Sequence, residues 1–425
     1  MPVRTLPPGA PAPRPDGRGV LSGRRAGLIA AAVLALVAFA CVATLPWTLR
    51  PVAQPGGGDV ARYNAGSASA GRLPPSWVSA SRPQRERLAR QLTADDAAAV
   101  PRPGRSIADV IESPHPDELR TLRRLAPSYA LGTDVLGRSM LARLLLGGAI
   151  SLGVGLAAAA ISVVVGTLYG TLAGFAGGRL DALMMRVVDV LYGLPYVLIV
   201  VLLAVAGGAL VDDYVSREGP RRGFVRDSAR ALLRAEGQPA SPAEVDALLE
   251  SRPALRDTLE TRALAEYPPR TLSEGVRTAI DLAVLLIAIG GTSWLTMARV
   301  VRAEVMSLRG RPFMDAARTI GVPPARMFRV HLLPNLAPTI IVYATLTVPQ
   351  AILQESFLSF LGIGVRPPLP SWGSLAAEGL GELNPYESNW WLLAFPCAAL
   401  AGVLVALNIA GDALRDALDP RGAAR

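Results

Sequence analysis

Six runs of apolar residues, nearly free of charge, punctuate the chain: Leu28–Leu45, Ala149–Gly174, Val187–Ala206, Ala279–Trp294, Leu336–Leu353 and Trp391–Ala410. A helix needs roughly 20 apolar residues to cross a bilayer core. Ala279–Trp294 is short and contains Asp281, and Leu336–Leu353 contains Pro338 and Pro349; both still read as spans. The pattern predicts an all-α integral membrane protein with six transmembrane helices and two polar insertions outside the membrane.

The polar intervals set the organisation. Residues 1–25 are rich in Pro, Gly and Arg and predict a disordered cytoplasmic tail. Arg24 and Arg25 precede the first run, which exceeds the roughly 7–15 apolar residues of a cleaved signal. A retained helix over 26–46 follows, its N-terminal side in the cytoplasm by the positive-inside rule. Residues 47–130 form a polar extracytoplasmic segment with one helix, Gln84–Leu92. Residues 131–206 hold spans two and three, joined by the short linker Gly177–Asp181, which Arg179 and Arg186 place inside. Residues 207–276 form the second insertion, with helices over Val225–Ala235, Ala243–Glu250 and Ala254–Glu266. Ser241 and Pro242 suit the cap and first turn of the middle one. Its many arginines are compatible with an outside position, because loops beyond about 60 residues largely escape the charge rule. Residues 277–421 hold spans four to six. The basic stretch Met297–Arg309 places 299–335 in the cytoplasm, and both termini fall on that side.

Composition changes the picture little. Half the residues are hydrophobic and mean hydropathy is +0.35. The net charge of +9 would suggest nucleic acid in a soluble protein, but every basic side chain is Arg and none is Lys. Uniform Arg beside abundant Ala, Gly and Pro reads as mutational bias, and no aromatic-studded basic face accompanies it, so no nucleic-acid partner is expected. Cys41 and Cys397 lie inside apolar runs and give no disulfide framework. His115 and His331 stand far apart with no Cys/His cluster, so no metal site is expected. Asp189, Asp281, Glu355, Asn408 and Asp412 sit in or near apolar runs. Intramembrane ionisable groups are costly and so are functional candidates. Asp189, Glu355 and Asp412 lie near span ends, which favours interfacial anchoring or helix packing. The glycines of span two suit close helix packing rather than a pore lining.

The most patterned segment is Asp315–Asn335, DAARTIGVPPARMFRVHLLPN. Phe313, Ala316, Ala317 and Ile320 share one helical face. Gly321 suits a left-handed stop, and Pro323 and Pro324 force a fresh start. A second short helix over Ala325–Leu332 is expected, with Pro334 opening the next span. Small residues at 316 and 317 would let a partner approach closely. An amphipathic helix lying on the bilayer surface is the alternative.

That segment resembles the cytoplasmic EAA loop of ABC-importer permeases. Three more stretches widen the resemblance to the dipeptide/oligopeptide/nickel branch and its second (C-type) permease subunit. They are Leu131–Arg138 (LGTDVLGR), Phe357–Val365 with Pro367-Pro368 and Pro370–Gly373, and Gly411–Pro420. The likeness covers 131–206 and about 277–421. Asp315 replaces the usual Glu, and Ser139 stands where Asp is usual, at an N-cap position that Ser serves equally well. The resemblance implies a MetI-like importer permease fold in the bacterial inner membrane. It implies a homologous permease partner, two ATP-binding cassette ATPases and an extracytoplasmic solute-binding protein. Asp315, Ala316, Ala317, Gly321, Leu333 and Pro334 would couple to the ATPase. No catalytic, cofactor or metal residue is implied; ATP would be bound by the partner subunits. Peptide is the default cargo, although nickel, opine and peptide-antibiotic transporters share these motifs. Common members of that branch carry much shorter connections at the two insertions, which therefore read as decoration or as a docking surface.

The chain lacks the lysine that a phosphate-binding loop requires, so ATP hydrolysis must come from another subunit. A secondary transporter driven by an ion gradient is the alternative function, but no internal repeat is visible. A membrane-embedded enzyme would need a constellation such as HExxH or GxSxG, which the sequence lacks.

Overall fold

The computed structural model describes residues 17–54, 58–126, 129–383 and 387–418. Among the described residues, six helical stretches are long and apolar enough to cross a membrane: Arg25–Thr48, Met140–Ala176, Tyr196–Ser216, Gly275–Arg309, Pro324–Phe360 and Trp391–Leu418. The fold is an all-α membrane bundle carrying one small hairpin.

Helix α1 (Gly17–Ala43) begins inside the segment expected to be unstructured; residues 1–16 of that segment lie outside the described residues. A single turn, α2 (Leu45–Thr48), leads to the antiparallel pair β1 (Pro51–Ala53) and β2 (Asp59–Ala61). Four short helices follow: α3 (Arg82–Ala89), α4 (Ala94–Ala99), α5 (Ile107–Glu112) and α6 (Pro116–Leu125). Sequence reading anticipated only the first. Capping boxes start α3 (Ser81/Gln84), α5 (Ser106/Asp109) and α6 (His115/Glu118). Leu73, Leu88, Val100, Val110 and Leu122 then close a core of their own. The first insertion is therefore a folded unit. Arg72 ties it to the bundle by a bidentate pair with Glu382, at 2.5 and 2.9 Å. That guanidinium holds the Glu382 carboxyl below the usual carboxylate range.

Helix α7 (Met140–Ala176) is capped by Ser139, whose hydroxyl accepts from the Ala142 amide. It leads through Gly177 into α8 (Gly178–Gly193) and α9 (Tyr196–Ser216). The expected third span, Val187–Ala206, is corrected here. Pro195 lacks an amide donor and drives the preceding residue from helical geometry. Leu194 accordingly has ψ 149°, α8 stops, and the crossing runs to Ser216. The second insertion thus begins past Ser216. It comprises α10 (Glu218–Ala235), α11 (Pro242–Ser251) and α12 (Pro253–Glu266), which pack Val225, Ala229, Leu233, Val245, Leu248 and Leu259 together. Ser241 and Glu244 form the capping box of α11. The chain leaves this unit beside where it came in: the Arg270 amide donates to the Val215 carbonyl at 2.9 Å, and the Arg270 guanidinium lies 3.6 Å over the Tyr214 ring.

Helix α13 (Glu274–Arg309) returns through the bundle. A bent connection follows, made of α14 (Pro312–Thr319), α15 (Pro324–Met327) and a π turn (Phe328–Leu332) that runs straight into α16 (Leu333–Phe360). Helices α17 (Trp372–Leu380) and α18 (Trp391–Leu418) complete the fold. Successive spans run antiparallel. The start of α1, the end of α18 and residues 310–323 therefore share one end of the bundle, the terminal end. The described parts of the two insertions and of residues 361–390 share the other, the insertion end.

The spine is the seam between α7 and α13. With 37 and 36 residues they reach about 55 Å at 1.5 Å per residue, well beyond a roughly 30 Å hydrocarbon core. Gly166, Gly170 and Gly174 form one stripe of α7 against Met297, Ala298, Arg302 and Val305. A Cβ on Gly170 would run into the Ala298 carbonyl oxygen and stand 3.0 Å from the Arg302 amide. Gly148 and Gly155 similarly admit Trp372 and Ile352. Gly153 meets open space and needs another account. Cys41 packs against Gly148, whereas Cys397 is exposed on α18.

Candidate functional site

The connection between α13 and α16 folds into a compact elbow. Helix α14 starts with Pro312 at its first position and ends in a left-handed residue, Gly321, with φ +77°. The Val322 amide donates to the Ala317 carbonyl at 3.1 Å and the Gly321 amide to the Arg318 carbonyl at 3.0 Å. These two bonds are the Schellman motif, which satisfies carbonyls that a helix end otherwise leaves open. Val322 also packs beside Ala317 in the apolar cluster beneath.

That cluster fixes the elbow to the spans. Met314 (0% exposed) and Ala317 (4%) press down among Met297, Val301, Val305 and Leu308 of α13, with Met327, Leu332 and Leu336 from the far limb. The expected face therefore splits. Only Ala317 of the four points inward, and Met314, which sequence reading passed over, is the anchor. Phe313, Ala316 and Ile320 are exposed, Ile320 at 79%. The helix is short enough that two faces carry apolar residues, and periodicity alone does not tell which is covered.

The remaining predicted residues are nearby. Asp315 pairs with Arg318 at 3.2 Å, and its carbonyl accepts from the Thr319 hydroxyl at 2.9 Å. Leu333 and Pro334 lie in the first turn of α16 and are exposed. Pro334 does not open a separate span, as was expected. The preceding π turn lets the Leu333 amide reach the Phe328 carbonyl, and the helix passes through the proline without a break. The Phe313 and His331 rings, 6.4 Å apart, bring the two limbs side by side.

Ion pairs brace the same end of the bundle. Arg302 holds Asp181 at 2.6 Å through Nη2, and Arg299 holds Asp189 at 2.8 Å while lying 4.1 Å over the Tyr192 ring. Both clamp α8 to α13.

At the insertion end, the LGTD stretch is a staple. Asp134 accepts from the Leu136 and Arg138 amides, from Arg138 Nε at 2.6 Å and from Arg143 Nη1 at 2.7 Å. Arg143 also grips Glu378 of α17 at 2.5 and 2.9 Å. Thr133, fully buried, donates to the Ala70 carbonyl. Glu355 is not interfacial: it is 0% exposed on α16, accepting from Ser359 at 2.7 Å and Ser356 at 3.3 Å. Ser359 in turn accepts from the Val365 amide, which makes Glu355 a packing group that fixes the loop after α16.

Comparison with known proteins agrees with this arrangement. Residues 166–423 match the family described as the binding-protein-dependent transport system inner membrane component. The dipeptide transport system permease protein DppC of Bacillus subtilis (strain 168) is 34% identical over 313 residues, covering 73% of this chain and 75% of the relative. The oligopeptide transport system permease protein OppC of Escherichia coli (strain K12) is 36% identical over 293 residues, covering 69% and 72%. OppC of Haemophilus influenzae is 34% identical over 293 residues, covering 69% and 70%. The apolar bundle, the bent elbow between its fourth and fifth spans and these matches lead to one assignment: the chain belongs to the inner-membrane permease subunits of binding-protein-dependent ABC importers.

Proposed function

We propose that this permease is one half of the translocation path of an ATP-driven peptide importer, with a homologous permease as the other half. Two separate ATPases bind at the terminal end, which faces the cytoplasm together with both termini. A solute-binding protein delivers its cargo at the insertion end. The names of the relatives, dipeptide and oligopeptide permeases, support peptide as the cargo.

The elbow carries the reading. Its inner face is locked by Met314 and Ala317, while Phe313, Ala316 and Ile320 present an apolar surface with no cover among the described residues. Asp315 and Gly321 shape that surface, and Leu333 and Pro334 border it from the next helix. A rigid knob with an apolar tip fits a groove on a motor subunit. Closure of the ATPases then pushes on α14, and the packed cluster passes the displacement to α13 and α16. The chain needs no cofactor of its own for this, because ATP is held by its partners.

The test is co-purification of the ATPases from membranes. Ala316→Arg places a long charge on an exposed position and leaves the anchor untouched. We expect loss of the ATPases with the partner permease retained. Full ATPase recovery with both Ala316→Arg and Ile320→Asp would refute the coupling role. Orientation is tested with Ala240→Cys in a background lacking Cys41 and Cys397. A membrane-impermeant maleimide should label it from outside, and labelling only after permeabilisation would reverse the topology.

A further inference from the structure

A cavity of about 200 Å³ opens at the insertion end, between the first turns of α13 and the loop after α16. Arg277, Thr278, Asp281 and Arg366 line it. Asp212, near the end of α9, stands behind the two arginines. Arg277 Nη2 donates to it at 3.0 Å, and Arg366 Nη1 lies 3.6 Å from both Asp212 and Asp281.

Two of these groups lack hydrogen bonds. The Asp281 side chain is only 17% exposed, and among the described residues its one ion-pair partner within 4 Å is Arg366, beyond hydrogen-bond range. Arg366 offers five N–H donors and makes no hydrogen bond to a described residue; its nearest carboxylates are those two at 3.6 Å. A largely buried carboxylate without a donor is an expensive arrangement unless something supplies one. The surroundings leave space for that. Gly208 lies under Arg366, where a Cβ would come within 2.6 Å of Nη2.

The geometry asks for a strong donor on Asp281 and an acceptor for Arg366, one contact apart. The amino terminus of a peptide has both, an ammonium and the carbonyl oxygen of the same residue. A carboxyl terminus fits worse. It would satisfy Arg366 but set a second negative charge against Asp281, the more buried group. Two guanidiniums and two carboxylates make the set neutral, so no net charge repels an incoming ammonium. The volume suits a single residue rather than a whole oligopeptide. The position at the insertion end is where a solute first meets the bundle under the proposed orientation.

We propose that this cavity receives the free amino terminus of a peptide-like solute, with its ammonium on Asp281 and its first carbonyl oxygen on Arg366. The proposal rests on the peptide-importer reading above. The test uses the complete assembly, with partner permease, ATPases and saturating binding protein, in proteoliposomes. Uptake of radiolabelled trialanine is compared with that of its N-acetylated and C-amidated forms. Asp281→Asn should lower the ratio of free to N-acetylated uptake about tenfold, the worth of one charge-assisted hydrogen bond. Asp281→Glu should restore much of it, and Arg366→Gln, on an external loop, should shift the ratio in the same direction. The binding protein's own preference is common to all variants and cancels. Equal loss for all three peptides would reduce Asp281–Arg366 to a structural ion pair and overturn the proposal, as would discrimination by the C-amide instead. If the wild-type assembly hydrolyses ATP in response to its binding protein yet takes up none of the three, the peptide reading itself fails and the site falls with it.

Discussion

Substituting Gly321 by Ala isolates the contribution of the elbow's turn. A Cβ at this position meets nothing within 4 Å, so no contact is made or lost. What changes is the backbone: φ is +77°, and an L-residue in the left-handed region costs roughly 1–2 kcal/mol. That is a factor of about 5–30 in the ratio of capped to uncapped elbow. The bonds at stake are those from the Gly321 and Val322 amides to the Arg318 and Ala317 carbonyls. Hydrogen exchange read by mass spectrometry on peptides spanning 318–324 reports them directly. We expect protection of these amides to fall by about the same factor in Gly321→Ala, and less in Gly321→Asn, because Asn tolerates this region better. Peptides from the α7–α13 seam should keep their wild-type rates. Unchanged protection at 321–322 would mean that the turn is held by its packing and not by the glycine, and the reasoning would be wrong.

Gly170→Val drives a branched side chain into the Ala298 carbonyl and should lower the thermal midpoint by the equivalent of about 1–3 kcal/mol or more, whereas Gly153→Ala, facing open space, should not. Arg143→Met removes one of the donors on Asp134, which keeps Arg138 and two backbone amides, and takes away the bidentate partner of Glu378; a cost of about 1.5–3 kcal/mol is expected in thermal unfolding. The Arg72–Glu382 pair lowers the Glu382 pKa relative to the unfolded chain, so its contribution is complete at neutral pH. It is lost as pH falls past the ordinary glutamate value of about 4.3 towards the depressed one. Exchange of amides 70–74 should therefore rise in acid, and Glu382→Gln should abolish that pH dependence.

Much of this architecture was legible because spans are governed by one strong rule, the covering of polar backbone by a helix inside apolar surroundings. The failures are local and physical. The third crossing was misplaced because an unbroken apolar run hid the effect of Pro195. The opposite error was made at Pro334, where the π turn at 328–332 absorbs the missing donor. Only one helix of the first insertion is legible in the sequence, because its core is assembled from single residues, such as Leu73, Val110 and Leu122, that are distant in sequence and show no period. Its capping boxes at 106–109 and 115–118 were the available signal. In the elbow, Gly321 and the two prolines were readable from chain chemistry. The inward turn of Met314 was not, because it is decided by helices elsewhere in the chain.

The bond from Arg270 back to Val215 has a practical corollary. The second insertion enters and leaves the bundle through adjacent doorposts, so removing residues 218–266 leaves two stumps that a brief glycine-serine bridge can join. The unit has its own interior and shares little with the spans. It can be excised, or exchanged for a fluorescent or affinity module, with the bundle left in register.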